Sequence, residues 1–181
     1  MERNFETVLG CQCAPTLAAL KPASLFHWSG DAQPLKAWAR KFAACGIGLT
    51  SLKRCPDGGC LLYLYRGRWI RDILADPDNA AFLRAYGYET ERGMGALLRR
   101  LSERLNGDSF PHEIGVFLGY PLEDVRGFIE NGGRNYTCRG CGKAYGDPEI
   151  AQRRFDCYRR CTEIYRRNLR MGVALERLIT A

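Results

Sequence analysis

Apolar positions recur along this chain with two different periods. In QPLKAWARKFAAC, Leu35, Trp38 and Phe42 stand three and four residues apart, the spacing of one helix face. Gly46 follows as a stop. IGLTSLKR and CLLYLYR are shorter runs, rich in aliphatic and aromatic residues, and Pro56-Asp57-Gly58-Gly59 separates them. That turn sequence predicts a β-hairpin over about 47–66. Its first arm alternates imperfectly, through Ile47, Leu49 and Leu52.

The same reading extends in both directions. PTLAAL, 15–20, predicts a short helix opened by Pro15 and ended by Lys21-Pro22. RWIRDILADP and PDNAAFLRAYG predict two more, and TERGMGALLRRLSERLNG a longer one that Asn106-Gly107 stops. FPHEIGVFLGYPLEDVRGFIEN predicts two short helices hinged at Gly119-Tyr120-Pro121, a helix-turn-helix-like unit over about 111–131. RNYTC and GKAYG flank Arg139-Gly140-Cys141 and predict a second hairpin over about 134–146. Asp147-Pro148-Glu149 then supplies a cap, a proline and a first-turn acid for a long C-terminal helix over about 148–171. Its apolar stripe is Phe155, Tyr158, Cys161 or Thr162, Tyr165 and Leu169. Two small antiparallel hairpins with several packed helices make an α+β protein, and 181 residues fit a single domain, 1–181.

Composition narrows the class. A 46% hydrophobic and 26% charged chain has the balance of a soluble globular protein. No apolar run approaches the ~18 residues of a membrane span. Val8-Leu9-Gly10-Cys11 looks like a lipoprotein cleavage box, but MERNFET before it is polar and too short for a secretory signal. The expected compartment is therefore the cytoplasm, where nine cysteines stay reduced or bind metal. No Gly-rich phosphate loop follows a strand.

Charge changes the picture less than its size suggests. The net +7 is mostly arginine, in doublets that flank the stripe of the last helix. Such doublets read as a solvated face. In the helix-turn-helix-like unit, Ile114, Leu118, Val125 and Ile129 sit where two helices pack. The second helix nevertheless carries Glu123, Asp124 and Glu130 against a lone Arg126, and acidic side chains in a groove repel phosphates. Neither sequence-specific nucleic acid nor a membrane is an expected partner.

CAPTLAALKPASLF, Cys13 to Phe26, and FPHEIGVFLGYPLEDVRGFIEN, Phe110 to Asn131, resemble the signatures of a clostridial family catalogued as domain of unknown function 3793. Asn135-Tyr136, GKAYGDPEIA and YRRCTEIY extend the resemblance over nearly the whole chain. It implies a single cytoplasmic domain of an anaerobic bacterium and no particular activity. It also implies that Cys138 and Cys161 stand where the family often has cysteine, whereas Cys141 and Cys157 are features of this chain.

Three groups of residues carry candidate chemistry. Cys13 precedes Pro15 at a predicted helix start, where partial positive charge stabilises a thiolate. A nucleophile needs a base and the base an orienter, so His112 with Glu113 or Asp124 completes a catalytic set if the two motifs meet. Structural roles compete at each position: Cys13 as a small buried apolar residue, His112 and Glu113 as members of a first helical turn. His27, beside Trp28, gives a weaker signal. The polar residues Lys21, Tyr120, Asn131 and Tyr136, within or beside the motifs, are the candidate ligand contacts. Cys138 and Cys141 lie on a predicted hairpin turn, and Cys157 and Cys161 one helical turn apart. A knuckle plus two ligands on one helix face is the arrangement of a structural zinc.

The sequence thus points to a domain that binds a small ligand or metal cofactor, or runs thiol chemistry, between the Cys13 and His112 motifs. The alternative is a zinc-stabilised adaptor or regulatory module, binding protein or nucleic acid through its arginine-rich helix.

Overall fold

The computed structural model describes residues 4–181. Its centre is a three-stranded antiparallel sheet of β1 (Ala23–Trp28), β2 (Ile47–Arg54) and β3 (Cys60–Arg66), in the order β1-β3-β2. The expected hairpin supplies β2 and β3. β1 is new: ASLFHW pairs along β3 from Ala23↔Tyr65 to Trp28↔Cys60.

Period-two alternation sends side chains to both faces of the sheet. Phe26, Trp28, Leu62 and Leu64 enter one cluster, whereas Ala23 and Tyr63 enter the other. The imperfect alternation of β2 has the same cause. Ile47 packs in the first cluster and Leu52 in the second, and the pairing shifts register between Ser51 and Lys53.

The first face is covered by α1 (Phe5–Gln12), α2 (Ala14–Leu17), α3 (Gln33–Ala44) and the long α9 (Pro148–Arg170). The lipoprotein-like box lies inside α1, where Val8, Leu9 and Gly10 are buried. A Cβ on Gly10 would overlap Leu169, so this glycine lets α1 lie close on α9. In α3 the expected face is present: Trp38 and Phe42 are buried, with ring centroids 5.2 Å apart. The helix expected over 15–20 is shorter, because Ala19 takes a left-handed φ of 57° and turns the chain into β1. Arg66 locks that turn, donating to the carbonyls of Thr16 (2.8 Å), Leu17 (2.9 Å) and Thr180 (2.7 Å).

The second face carries α4 (Gly67–Ala75), α5 (Pro77–Arg84), α6 (Met94–Leu105), α7 (Ile114–Phe117) and α8 (Leu122–Glu130). α7 and α8 are the expected helix-turn-helix-like pair, although α7 is only one turn long. The second hairpin is β4 (Cys138–Arg139) with β5 (Lys143–Ala144), two residues each. It sits on the start of α9 over a small core of Ala144, Ala151 and Phe155. Asp147 caps α9 as expected, accepting from the amides of Glu149 (2.8 Å) and Ile150 (3.2 Å). Most of the arginine doublets on α9 face solvent. No helix of the described residues is long and apolar enough to cross a membrane.

Candidate functional site

The two long motifs do meet, but not through Cys13 and His112. Their contact is Lys21-Pro22 against Gly119-Tyr120. Gly119 has φ 76°, and a Cβ there would overlap the Pro22 ring. Glycine is thus required twice over, by conformation and by contact. Beside this contact the Lys21 ammonium lies 5.3 Å from the centre of the Tyr120 ring, a cation–π distance.

Lys21 faces a cleft of about 480 Å³ between the α1–α2 junction, the β4–β5 turn and α9. Four cations line it, Lys21, Arg139, Arg159 and Arg166, against two carboxylates, Asp156 and Glu163. Asp156 is already engaged by Arg159 at 2.9 Å. Among the described residues, no carboxylate pairs with Lys21. Burial pulls its ammonium below the ordinary lysine value, against the opposing pull of Cys141 and Cys13. Burial likewise pushes up the Cys141 thiol and the Tyr158 phenol, and raises Tyr120 to about 12. The cleft therefore holds neutral thiol and phenol groups around one sheltered ammonium.

Cys13 is fully buried in the cluster on the first face, and the cleft is lined by its neighbours Cys11, Gln12 and Pro15 instead. Burial pushes its thiol far above the usual range, more than the nearby Lys21 and a hydrogen bond with Ser24 pull it down. That direction is opposite to the one expected at a helix start, because the four-residue α2 offers little dipole against the desolvation.

His112 lies across the sheet from Cys13. It lines a smaller pocket of about 210 Å³ with Leu25, Tyr120, Val125 and Phe128. Its ring sits between Phe110 and Phe128, with centroids 5.4 and 4.9 Å away. Cys13 and His112 therefore share no cavity among the described residues.

Both candidate orienters are buried and paired with groups other than His112. Glu113 is buried and accepts from Arg104 Nε at 2.7 Å and Tyr88 Oη at 3.1 Å. Asp124 is buried too. Its Oδ1 accepts from the amides of Tyr145 (2.7 Å) and Gly146 (3.3 Å), and its Oδ2 pairs with Arg154 at 3.2 Å. Asp124 thus pins the second hairpin to α8 and α9. Of the expected ligand contacts, Asn131 closes α8, donating to the Gly127 carbonyl at 2.8 Å. Tyr136 is exposed, with Lys143 Nζ 5.1 Å from its ring centre.

The four-cysteine zinc site does not assemble. No three of Cys138, Cys141, Cys157 and Cys161 bring their sulfurs within 4.8 Å of one another among the described residues. The hairpin docks on the Ala151 and Phe155 face of α9. Cys157 lies two residues past Phe155, about 200° further round the helix. It opens into a separate apolar groove with Ala18, Leu20 and Ile164. Cys138 instead approaches Gln152 (3.5 Å), Cys141 lines the Lys21 cleft, and Cys161 is buried under α9.

A different group does come together. His27, Cys55 and Asp57 each present a ligand atom, and the three atoms lie within 4.8 Å of one another. His27 Nε2 is 3.1 Å from Asp57 Oδ2. Cys55 opens the tight β2–β3 turn, Asp57 lies within it, and β1 brings His27 alongside. The group does not show in the sequence pattern, because ASLFHW does not read as a strand there. The signal available was the pairing of a C-P-D-G-G-C turn with a histidine on an edge strand.

Curated proteins provide no match to this chain, and neither do solved structures. One family model does match, over residues 9–179 and so across both motifs, the Lys21 cleft and the His27 turn. The chain belongs to the family described as Protein of unknown function (DUF3793).

Proposed function

We propose that the protein is a binding domain for a small anionic ligand, held in the cleft between the α1–α2 junction, the β4–β5 turn and α9. The observation that carries this reading is Lys21. A cation drawn away from water costs free energy unless something compensates it. Here the Tyr120 ring is a partial partner, and the cleft around Lys21 carries two more cations than carboxylates. An anion supplied from solution completes the pairing. The neutral Cys141 and Tyr158 side chains offer hydrogen bonds and no activated nucleophile, which favours binding over covalent chemistry. Three of the α9 arginines are already spent on Glu149, Asp124 and Asp156, which weakens the reading of that helix as an adaptor surface.

Titration with inorganic phosphate and with small mono- and dicarboxylates, followed by amide chemical shifts, tests the proposal. Saturable shifts are expected at Lys21, Arg139 and Cys141. Lys21→Met should weaken binding at least tenfold, while Arg153→Met, at an exposed position outside the cleft, should not. Unchanged affinity in Lys21→Met would overturn the assignment.

A further inference from the structure

We infer that His27, Cys55 and Asp57 form a surface binding site for a divalent zinc-like metal ion, with a fourth coordination position left to water or an added ligand. This site is independent of the Lys21 cleft.

The donor set selects the metal class. An imidazole nitrogen, a thiolate sulfur and a carboxylate oxygen are the three ligand types zinc accepts. Calcium and magnesium take six or more oxygens and are excluded by the sulfur and nitrogen. With His27 neutral and Cys55 deprotonated, the site carries two negative charges, which a dication neutralises.

The backbone prearranges one of the three ligands, and that ligand meets a second. Asp57 Oδ1 is held by the Gly59 amide at 2.9 Å and also lies 3.3 Å from His27 Nε2, with Oδ2 3.1 Å from the same nitrogen. Neighbouring ligand atoms around tetrahedral zinc lie roughly 3.3–3.8 Å apart for bonds of about 2.0–2.3 Å. The His27 Nε2–Asp57 edge, at 3.1 Å to Oδ2 and 3.3 Å to Oδ1, lies at or just below the short end of that spacing. The widest separation, up to 4.8 Å, asks for about an ångström of movement in exposed or half-exposed side chains.

Gly59 makes the approach possible. A Cβ there would stand 2.6 Å from His27 Nε2 and 2.7 Å from the Trp28 carbonyl oxygen. Cys60, the other cysteine of the turn, is not a fourth ligand. It begins the Leu62 and Leu64 side of β3 and packs against the first-face cluster, whereas His27 pairs with Leu61 and projects from the other face. Three protein ligands at the surface, with one position open, describe an exchangeable site rather than a closed structural one.

Cobalt(II) is the probe, because thiolate and tetrahedral coordination both give it diagnostic absorption. Reduced full-length protein is titrated with cobalt and then back-titrated with zinc. The expected result is one equivalent of cobalt with a thiolate charge-transfer band, displaced by zinc. Cys55→Ser and His27→Gln should each remove the band and weaken zinc binding at least ~100-fold, more than the typical loss for an outer-shell partner. Cys60→Ser and Cys141→Ser should keep it. Both ligand variants change exposed or half-exposed side chains, and circular dichroism confirms that they fold. No band in the wild type, or a band that survives in Cys55→Ser, would overturn the site.

Discussion

The molecule has two cysteine-flanked hairpin turns, and they differ in an instructive way. The β4–β5 turn carries Cys138 and Cys141 at zinc-knuckle spacing, with two more cysteines one turn apart on the next helix. Among the described residues it gathers no ligand set. The β2–β3 turn has Cys55 and Cys60 at a less familiar spacing, yet it brings three different ligand types together. Spacing along the chain sets only which ligands share a turn. Whether more ligands converge depends on which face the next element turns toward that turn. α9 presents Phe155 to its hairpin and carries Cys157 round to the far side. β1 runs beside β3 and presents His27 directly at the turn.

Thiol alkylation should break the comparison most sharply. Under native reducing conditions, saturating zinc should slow iodoacetamide labelling of Cys55 by more than tenfold. The same zinc should leave labelling of the exposed Cys141 and Cys157 unchanged. Mass spectrometry of each peptide reads the rates. Protection of Cys141 and Cys157 with Cys55 unprotected would reverse the roles of the two turns.

The second expectation concerns what holds the β4–β5 turn in place of a metal. Asp124 meets two backbone amides and Arg154 there, with both partners largely withdrawn from water. Asp124→Ala should cost about 3 kcal/mol in urea unfolding, the low end for breaking a buried pair, because Arg154 keeps partial contact with solvent. Asp124→Asn keeps an acceptor for the Tyr145 amide and should lose less. A chelator should leave the wild-type value unchanged. Equal stability of Asp124→Ala and wild type would mean that the hairpin docks through Ala144 and Phe155 alone.

Much of the fold was legible before the structure. α3 announced itself through Trp38 and Phe42, and α9 through its Asp147-Pro148 cap, since local propensity and burial agree there. The β2–β3 hairpin was equally plain from its turn. β1 was not, because ASLFHW is a short strand whose two faces are both covered, so neither face reads as polar. α1 was hidden for a related reason: Gly10, poor for a helix, is there for its contact with Leu169. The candidate site was half legible. Lys21 and Tyr120 do meet. Cys13 and His112, the most chemically suggestive pair, stand on opposite sides of the sheet, and only the missing strand could have said so.

Gly59→Ala sharpens the comparison from the other turn. The new Cβ would press on the Trp28 carbonyl, which is backbone and cannot step aside, and on His27. Overpacking of this kind costs about 1–3 kcal/mol. The variant should also lose the cobalt band described above, because His27 is pushed from Asp57. The matching change on the second turn, Gly142→Ala, has the Tyr120 side chain as its nearest neighbour, at 3.2 Å and with no backbone atom as close, and should cost less.

The smallest effect is a pH response confined to the first turn. The Gly59 amide is the main cause that holds the Asp57 carboxyl below its ordinary value, with His27 contributing further. A carboxylate depressed on folding contributes its full stabilisation above the unfolded value, about 3.9 for aspartate. It loses that contribution as pH falls through the lower folded value. The side chain is exposed, so global stability should barely move, and the readout must be local. Following the Gly59 amide shift from neutral to acidic pH should give a midpoint below the ordinary aspartate value. His27→Gln should raise that midpoint only part of the way, because the Gly59 hydrogen bond remains. A wild-type midpoint at or above the ordinary value would show that the turn does not prearrange its carboxylate, and the metal site would then lose its best-ordered ligand.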